Sequence, residues 1–241
     1  MDKTPLLRRA SFLVVLAAAV VVLAGADYLY FQTLEPAEVV ASEPEPGPVS
    51  AAVATDSSCP YDDSKARVEN YLDFVSDTDP SLGDPASDVV VIEFFDPNCP
   101  HCKTLHPILM AAVDSLADEA RFVFRPFVIS QASLMQVEAL HIAAQQGKFF
   151  EMMDAQFERQ TNRALSMAEM QEISEEIGLD FELLQTRLSS GMYRSLVLRQ
   201  RQAAFEAGVS AVPSVMINGR FIAAGSRSVG CFAELIDEAS Q

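Results

Sequence analysis

Apolar residues recur along this chain at two different spacings, and the change from one to the other organises its folded part. "VVVIEFF", residues 89–95, is an unbroken run of β-branched and aromatic side chains with Glu93 as its one charge. Such a run predicts a strand buried on both faces. "RFVFRPFVIS", residues 121–130, predicts a second strand. Between them Pro100 suits the first turn of a helix running through Lys103 towards Asp118, and Pro107 is expected to kink it. From residue 131 to 207 the period becomes helical, in "LMQVEALHIAAQQ", "FFEMMDAQFERQ", "MAEMQEISEEI" and "MYRSLVLRQRQAAFEA". Ser166 and Glu169 make a capping box, and Gly178 and Gly208 stand where helices stop. "PSVMI", a turn at Asn218 and Gly219, and "RFIAA" then predict a hairpin, followed by a helix from Val229 to Ala239. Upstream, "SKARVENYLDF" has the look of a short amphipathic helix. In "DTDPSLGDPASD", Pro80, Gly83 and Pro85 are expected to block regular structure. The order is strand, helix, strand, helical block, hairpin, helix: an α/β plan over residues 62–241 with the block inserted at 131–207.

A different pattern precedes it. Lys3, Arg8 and Arg9 flank an uncharged apolar run from Ala10 to Ala26. A basic flank followed by such a run directs a chain into export with its basic end held inside. "AGA" before Asp27 fits removal as a signal peptide, whereas the length of the run, with Tyr28 and Tyr30 after it, suits an uncleaved membrane anchor. Residues 1–32 are therefore read as a signal peptide or N-terminal anchor. On either reading the remainder lies outside the cytoplasm, in the periplasm or cell envelope, where disulfides persist. Residues 33–61 alternate Pro36, Pro44, Pro46 and Pro48 with Glu35, Glu38, Glu43 and Glu45, and no Lys or Arg appears between Asp27 and Lys65. Proline and like charge both extend a chain, so this is a spacer.

Composition narrows the partners. The 241 residues carry a formal charge of −17, which argues against nucleic acid because no basic stripe could outweigh it. Four cysteines are too few for a disulfide scaffold in so long a chain, and each needs its own explanation.

Two of them lie in "FFDPNCPHCKTLHP", where a strand feeds directly into Cys99-Pro100-His101-Cys102 at a helix start. Free N–H groups and the positive end of the helix dipole favour a thiolate at Cys99, and His101 can add a charge or a donor. A stabilised thiolate is a good leaving group and biases a dithiol/disulfide pair towards oxidising others. Cys99 is then the attacked sulfur and Cys102 the resolving one. Glu93, six positions before Cys99, can accept or relay the proton of Cys102; the alternative is a solvated strand end.

"VVVIEFFDPNCPHCK" resembles the active-site segment of the DsbA-like thiol–disulfide oxidoreductases, a branch of the thioredoxin superfamily, and "GVSAVPSVMINGR" is similar to its second signature. The resemblance covers about residues 62–240. It implies a thioredoxin-like fold with an inserted helical block, and a cis-proline at Pro213 that packs with Val212 against the active-site disulfide and holds an extended substrate peptide. It further implies an enzyme that passes its disulfide to reduced exported proteins and is reoxidised by a quinone-linked membrane thiol oxidase. No organic cofactor is expected, since the two sulfurs are the redox centre. Independently of the resemblance, a proline beside the disulfide ends ladder pairing and leaves Val212 free to pair with an unfolded chain.

Other readings stay open. The pair could serve an isomerase or a reductase, although the spacer does not look like the dimerisation element that isomerases generally need. Cys99, His101 and Cys102 with His106 could bind metal, or the chain could hold substrates with cysteines that do not cycle; zinc usually takes its ligands from two clusters, and no second one is visible. His106 reads as a partly exposed helix residue and His141 as core or boundary. Met152, Met153, Met167 and Met170 read as core filler, or as the lining of a peptide groove. Outside the cytoplasm, Cys59 and Cys231 invite a second disulfide, with intermolecular pairing or plain burial as the alternatives.

Overall fold

Val90–Phe95 is the central strand of a five-stranded sheet, and all six of its residues are buried. The computed structural model describes residues 59–76, 79–161 and 163–241. The strands are β1 (Ser81–Gly83), β2 (Val90–Phe95), β3 (Arg121–Pro126), β4 (Ser214–Ile217) and β5 (Arg220–Phe221). They lie in the order β1-β3-β2-β4-β5, with β2 parallel to β3 and the other neighbours antiparallel. Alternation along β2 sends Val91 and Phe95 to one core and Val90, Ile92 and Phe94 to the other. The first core is shared with α1 (Pro100–Leu116) and α7 (Val229–Ala239). The second includes Phe74, Ala204, Val209 and Met216. Glu93 follows the same alternation and therefore faces the α1 side.

Between β3 and β4 stands the helical block: α2 (Leu134–Ala144), α3 (Phe149–Glu158), α4 (Met167–Ile177), α5 (Phe181–Ser190) and α6 (Arg194–Glu206). Helix α2 is buried on nearly every side and packs against α3, α5 and α6, which explains why apolar residues spread over most of its faces, with Gln136 and Glu138 buried among them. Ser166 and Glu169 close the expected capping box on α4, and Gly178 ends that helix in the left-handed conformation. Met152, Met153 and Met170 have no exposed surface and Met167 is half-buried, so the first three fill this core and line no groove.

Several expectations differ from the fold. "SKARVENYLDF" forms only a 3-10 turn, Tyr71–Phe74. Its Val68 N–H donates to the Gly219 carbonyl, and just ahead of it Asp62 N–H donates to that of Phe221, so this part of the chain runs along the β4–β5 hairpin. The supposedly irregular "DTDPSLGDPASD" contains β1, a three-residue edge strand against β3. Strand β3 stops at Pro126 because the following chain turns inward, with Phe127 N–H donating to the Phe95 carbonyl and Ile129 N–H to Asp96. The fold also reaches back into the predicted spacer, to Cys59: Tyr61 is buried, bridges to Ile222 and donates its hydroxyl to the Leu235 carbonyl. The predicted signal or anchor segment and the spacer before Cys59 lie outside the described residues. Among the described residues no helix is long and apolar enough to cross a membrane.

Candidate active site

The turn between β2 and α1 is built by Asp96. Its carboxylate accepts from the Asn98 N–H at 2.7 Å and from the Ile129 N–H at 2.8 Å, while its carbonyl accepts from the Cys99 N–H at 2.9 Å. This fixes Cys99 as the N-cap of α1, with Pro100 at the first helical position, where a missing N–H costs nothing. The Cys99 sulfur accepts from the Cys102 N–H at 3.4 Å. Both cysteines are free thiols and buried, Cys99 with 5% of its surface exposed and Cys102 with none.

The two sulfurs differ in acidity. Hydrogen bonding from the Cys102 side chain, then from the Cys102 and His101 backbone amides, draws Cys99 down to about 6 against the opposing pull of burial and of Asp96. Burial, and the proton given towards Cys99, push Cys102 far up. One thiol is therefore an anion near neutrality and the other keeps its proton. The sequence assigned His101 a charge or a donor; it supplies the donor through its backbone, and its imidazole is exposed.

On β2, Glu93 is 1% exposed and lies between Phe124 of β3 and Val215 of β4. Neither carboxylate oxygen has a hydrogen-bond partner among the described residues. Burial raises its pKa to about 8, partly offset by Arg227 and reinforced by the charge of Cys99. The carboxyl is thus neutral at pH 7 and able to hold or give a proton, and the solvated-end alternative does not apply. From the opposite side the Val212–Pro213 peptide is cis, and the Cys99 thiol donates to the Val212 carbonyl at 3.5 Å. Cys99, Cys102, Glu93, Val212 and Pro213 therefore converge although 120 positions separate the first from the last of them in sequence (213 − 93).

Three features escaped the sequence. Asp96 was hidden in what read as turn chemistry. Arg227, the one basic residue after Arg220, donates to the Pro213 carbonyl at 2.7 Å and couples electrically to Glu93 and both cysteines. Nothing in its local pattern points to the site. Third, the helical block grips the start of α1. Lys103 Nζ donates to the carbonyls of Glu158 at 3.3 Å and Gln160 at 3.5 Å, and Gln160 donates to the Pro97 carbonyl at 2.6 Å. His106, which a metal reading would enlist, pairs instead with Asp154 of α3 at 2.7 Å and rests against Phe157. His141 stacks on Tyr193, and burial lowers it to about 4. Cys59 and Cys231 form a disulfide that ties the start of the fold to the first turn of α7.

Residues 75–238 match the family profile described as Thioredoxin. A thioredoxin-like oxidoreductase from Silicibacter pomeroyi DSS-3 superposes with a TM-score of 0.62 at 26% identity, covering 71% of this chain and 98% of that one. The thiol-disulfide exchange protein alpha-DsbA2 from Wolbachia pipientis shares the fold, with a TM-score of 0.61 at 20% identity over 70% of this chain and 91% of its own. The Na(+)/H(+) antiporter NhaA 3 of Salinispora tropica is 28% identical over 161 residues, 63% of this chain and 24% of that protein. The chain thus spans about a quarter of the length of the first curated relatives it matches.

Proposed function

The chain belongs to the thioredoxin family, with the fold of its DsbA-like branch, and on that premise we propose that it exchanges a Cys99–Cys102 disulfide with protein thiols outside the cytoplasm, as a dithiol oxidase. One observation carries the reading: Cys99 caps α1 within reach of the Cys102 amide while Cys102 is sealed behind it, so the two sulfurs are chemically unequal. In the oxidised protein a substrate thiolate attacks the Cys99 sulfur. The Cys99–Cys102 bond breaks, a mixed disulfide forms at Cys99, and Cys102 leaves as a thiolate that takes a proton from Glu93 or from water relayed by it. A second substrate thiol, losing its proton, attacks the substrate sulfur of the mixed disulfide and releases Cys99 as a thiolate. The substrate has gained one disulfide and released its two thiol protons to solvent, one of which returns to Glu93; the protein holds the two electrons as a Cys99 thiolate and a Cys102 thiol.

A low pKa at Cys99 makes it the better leaving group in that last step and stabilises the reduced protein, so electrons flow towards it. Val212, with its backbone beside Cys99, is the edge on which an extended substrate would align. The basic flank and apolar run before residue 27 support an extracytoplasmic place, where reduced exported proteins are the substrates. A quinone-linked membrane thiol oxidase would accept the two electrons and restore the disulfide. The two sulfurs supply the redox chemistry with no added cofactor.

Two measurements test this. The equilibrium of the Cys99–Cys102 pair with glutathione is expected to favour the reduced protein strongly; a strongly reducing pair would assign it to reduction or isomerisation instead. Cys102→Ser is expected to trap mixed disulfides between Cys99 and exported proteins, and an absence of trapped partners would remove the exchange reading.

A further inference from the structure

We propose that Arg227 is a positioning residue of the redox site, a fixed positive charge that orients the cis-proline loop and faces Glu93, Cys99 and Cys102. The inference rests on the exchange reading above. Arg227 lies in the connection between β5 and α7, immediately before Ser228, the N-cap of α7. Its Nη2 donates to the Pro213 carbonyl at 2.7 Å, and the Cys99 thiol donates to the preceding carbonyl, that of Val212, at 3.5 Å. Arg227 and Cys99 thus contact two consecutive carbonyls of the cis-proline segment.

The guanidinium is costly where it stands. A guanidinium cannot shed its charge in a protein, this one is half-buried, and its Nε is buried without a partner among the described residues. Such a group is stabilised when negative charge forms beside it. Three groups that couple to it do become negative at some point in an exchange cycle: Cys99, Cys102 and Glu93. The other charged groups at the site act differently. Asp96, on the turn between β2 and α1, opposes the Cys99 thiolate but has both carboxylate oxygens occupied by backbone amides. His101, on α1, has its imidazole exposed. Arg227 is therefore the cation that stays while the proton and the sulfur charge move.

Its position is enforced from behind. Ser226 donates its hydroxyl to the Pro60 carbonyl at 2.9 Å and Ala223 donates its N–H there at 3.1 Å. Pro60 follows Cys59, whose disulfide partner Cys231 lies in the first turn of α7. The connection that carries Arg227 is bracketed on both sides by anchors leading to one covalent bond.

The test uses the full chain with Arg227→Gln, which keeps a donor for Pro213 without the charge, and Arg227→Lys, which keeps the charge. Cys99 ionisation is followed by thiolate ultraviolet absorbance, and the redox equilibrium is followed against glutathione. Arg227→Gln is expected to raise the Cys99 midpoint by about one unit and to weaken the preference for the reduced form about tenfold. Arg227→Lys is expected to restore more than half of both changes. An unchanged midpoint in Arg227→Gln, or equal shifts in the two variants, overturns the proposal, because a purely structural role would slow exchange without moving the titration. If Arg227→Gln does not fold, Arg227→Met carries the same expectation. A parent protein that does not exchange with glutathione at all would remove the exchange reading itself, whatever the variants do.

Discussion

Glu93 is an acid held away from bulk solvent, with 1% of its surface exposed. Its two oxygens have no hydrogen-bond partner among the described residues, and burial holds it protonated until about pH 8. The unfolded chain would ionise near the ordinary glutamate value, so between that value and about pH 8 the unfolded state has released a proton that the folded state retains. Stability must then fall as pH rises through this window and level off above it. Glu93→Gln removes the titration. Urea unfolding of the reduced proteins is expected to show the parent losing ground to the variant between pH 5 and 8, by on the order of 3 kcal/mol; parallel pH curves would disprove a buried neutral acid. At this scale the sequence was most informative where chemistry and pattern coincide. Cys99, Cys102 and Glu93 are legible because two thiols at a helix start and one charge in an apolar strand each break a local rule. Asp96 breaks none, since an aspartate beside a proline is ordinary in a turn. Arg227 looks like any loop arginine, and only the fold brings it to Pro213.

Elements were legible in proportion to their dependence on their own residues. Strand β2 and the helices of the block follow from apolar period and caps, which are local. Edge strand β1 was missed because its backbone is satisfied by β3, and the expected helix shrinks to the 3-10 turn Tyr71–Phe74 because Val68, just before it, is bonded to the hairpin turn at Gly219. The same dependence yields a prediction at the hairpin turn. Gly219 has a φ of +84°, and a Cβ there would run into the Val68 carbonyl oxygen, so both backbone conformation and space exclude a side chain. Gly178 shares the left-handed conformation, with a φ of +68°, but a Cβ there meets nothing within 4 Å. Gly219→Ala is expected to cost roughly 1–3 kcal/mol in thermal or urea unfolding, and Gly178→Ala clearly less. Equal losses at the two positions would show that the Val68 contact is not what excludes the side chain.

For the whole molecule, the order of elements and the helical insertion could be read from the sequence, whereas the boundary at Asp62 could not. The spacer's composition runs smoothly into Cys59–Tyr61, and it is long-range contacts, among them the bridge to Ile222 and the bond to Cys231, that make these residues part of the fold. That bond joins residues 172 apart, for which the chain-entropy estimate is about 5 kcal/mol before any offset. Replacing Cys59 and Cys231 together by serine is expected to lower the urea midpoint by several kcal/mol equivalent while leaving Cys99 titratable; an unchanged midpoint would mean the bond constrains nothing. Lys103 and Gln160 carry a last consequence. Because they lash the tip of α1 to carbonyls at and just beyond the end of α3, and the Pro97 carbonyl in turn to Gln160, the insertion is no ornament on a smaller machine. Pruning residues 131–207 away would leave the reactive sulfur on a turn braced by Asp96 alone, stripped of the bonds that Lys103 and Gln160 make, so a miniaturised version of this chain would have to invent a new buttress.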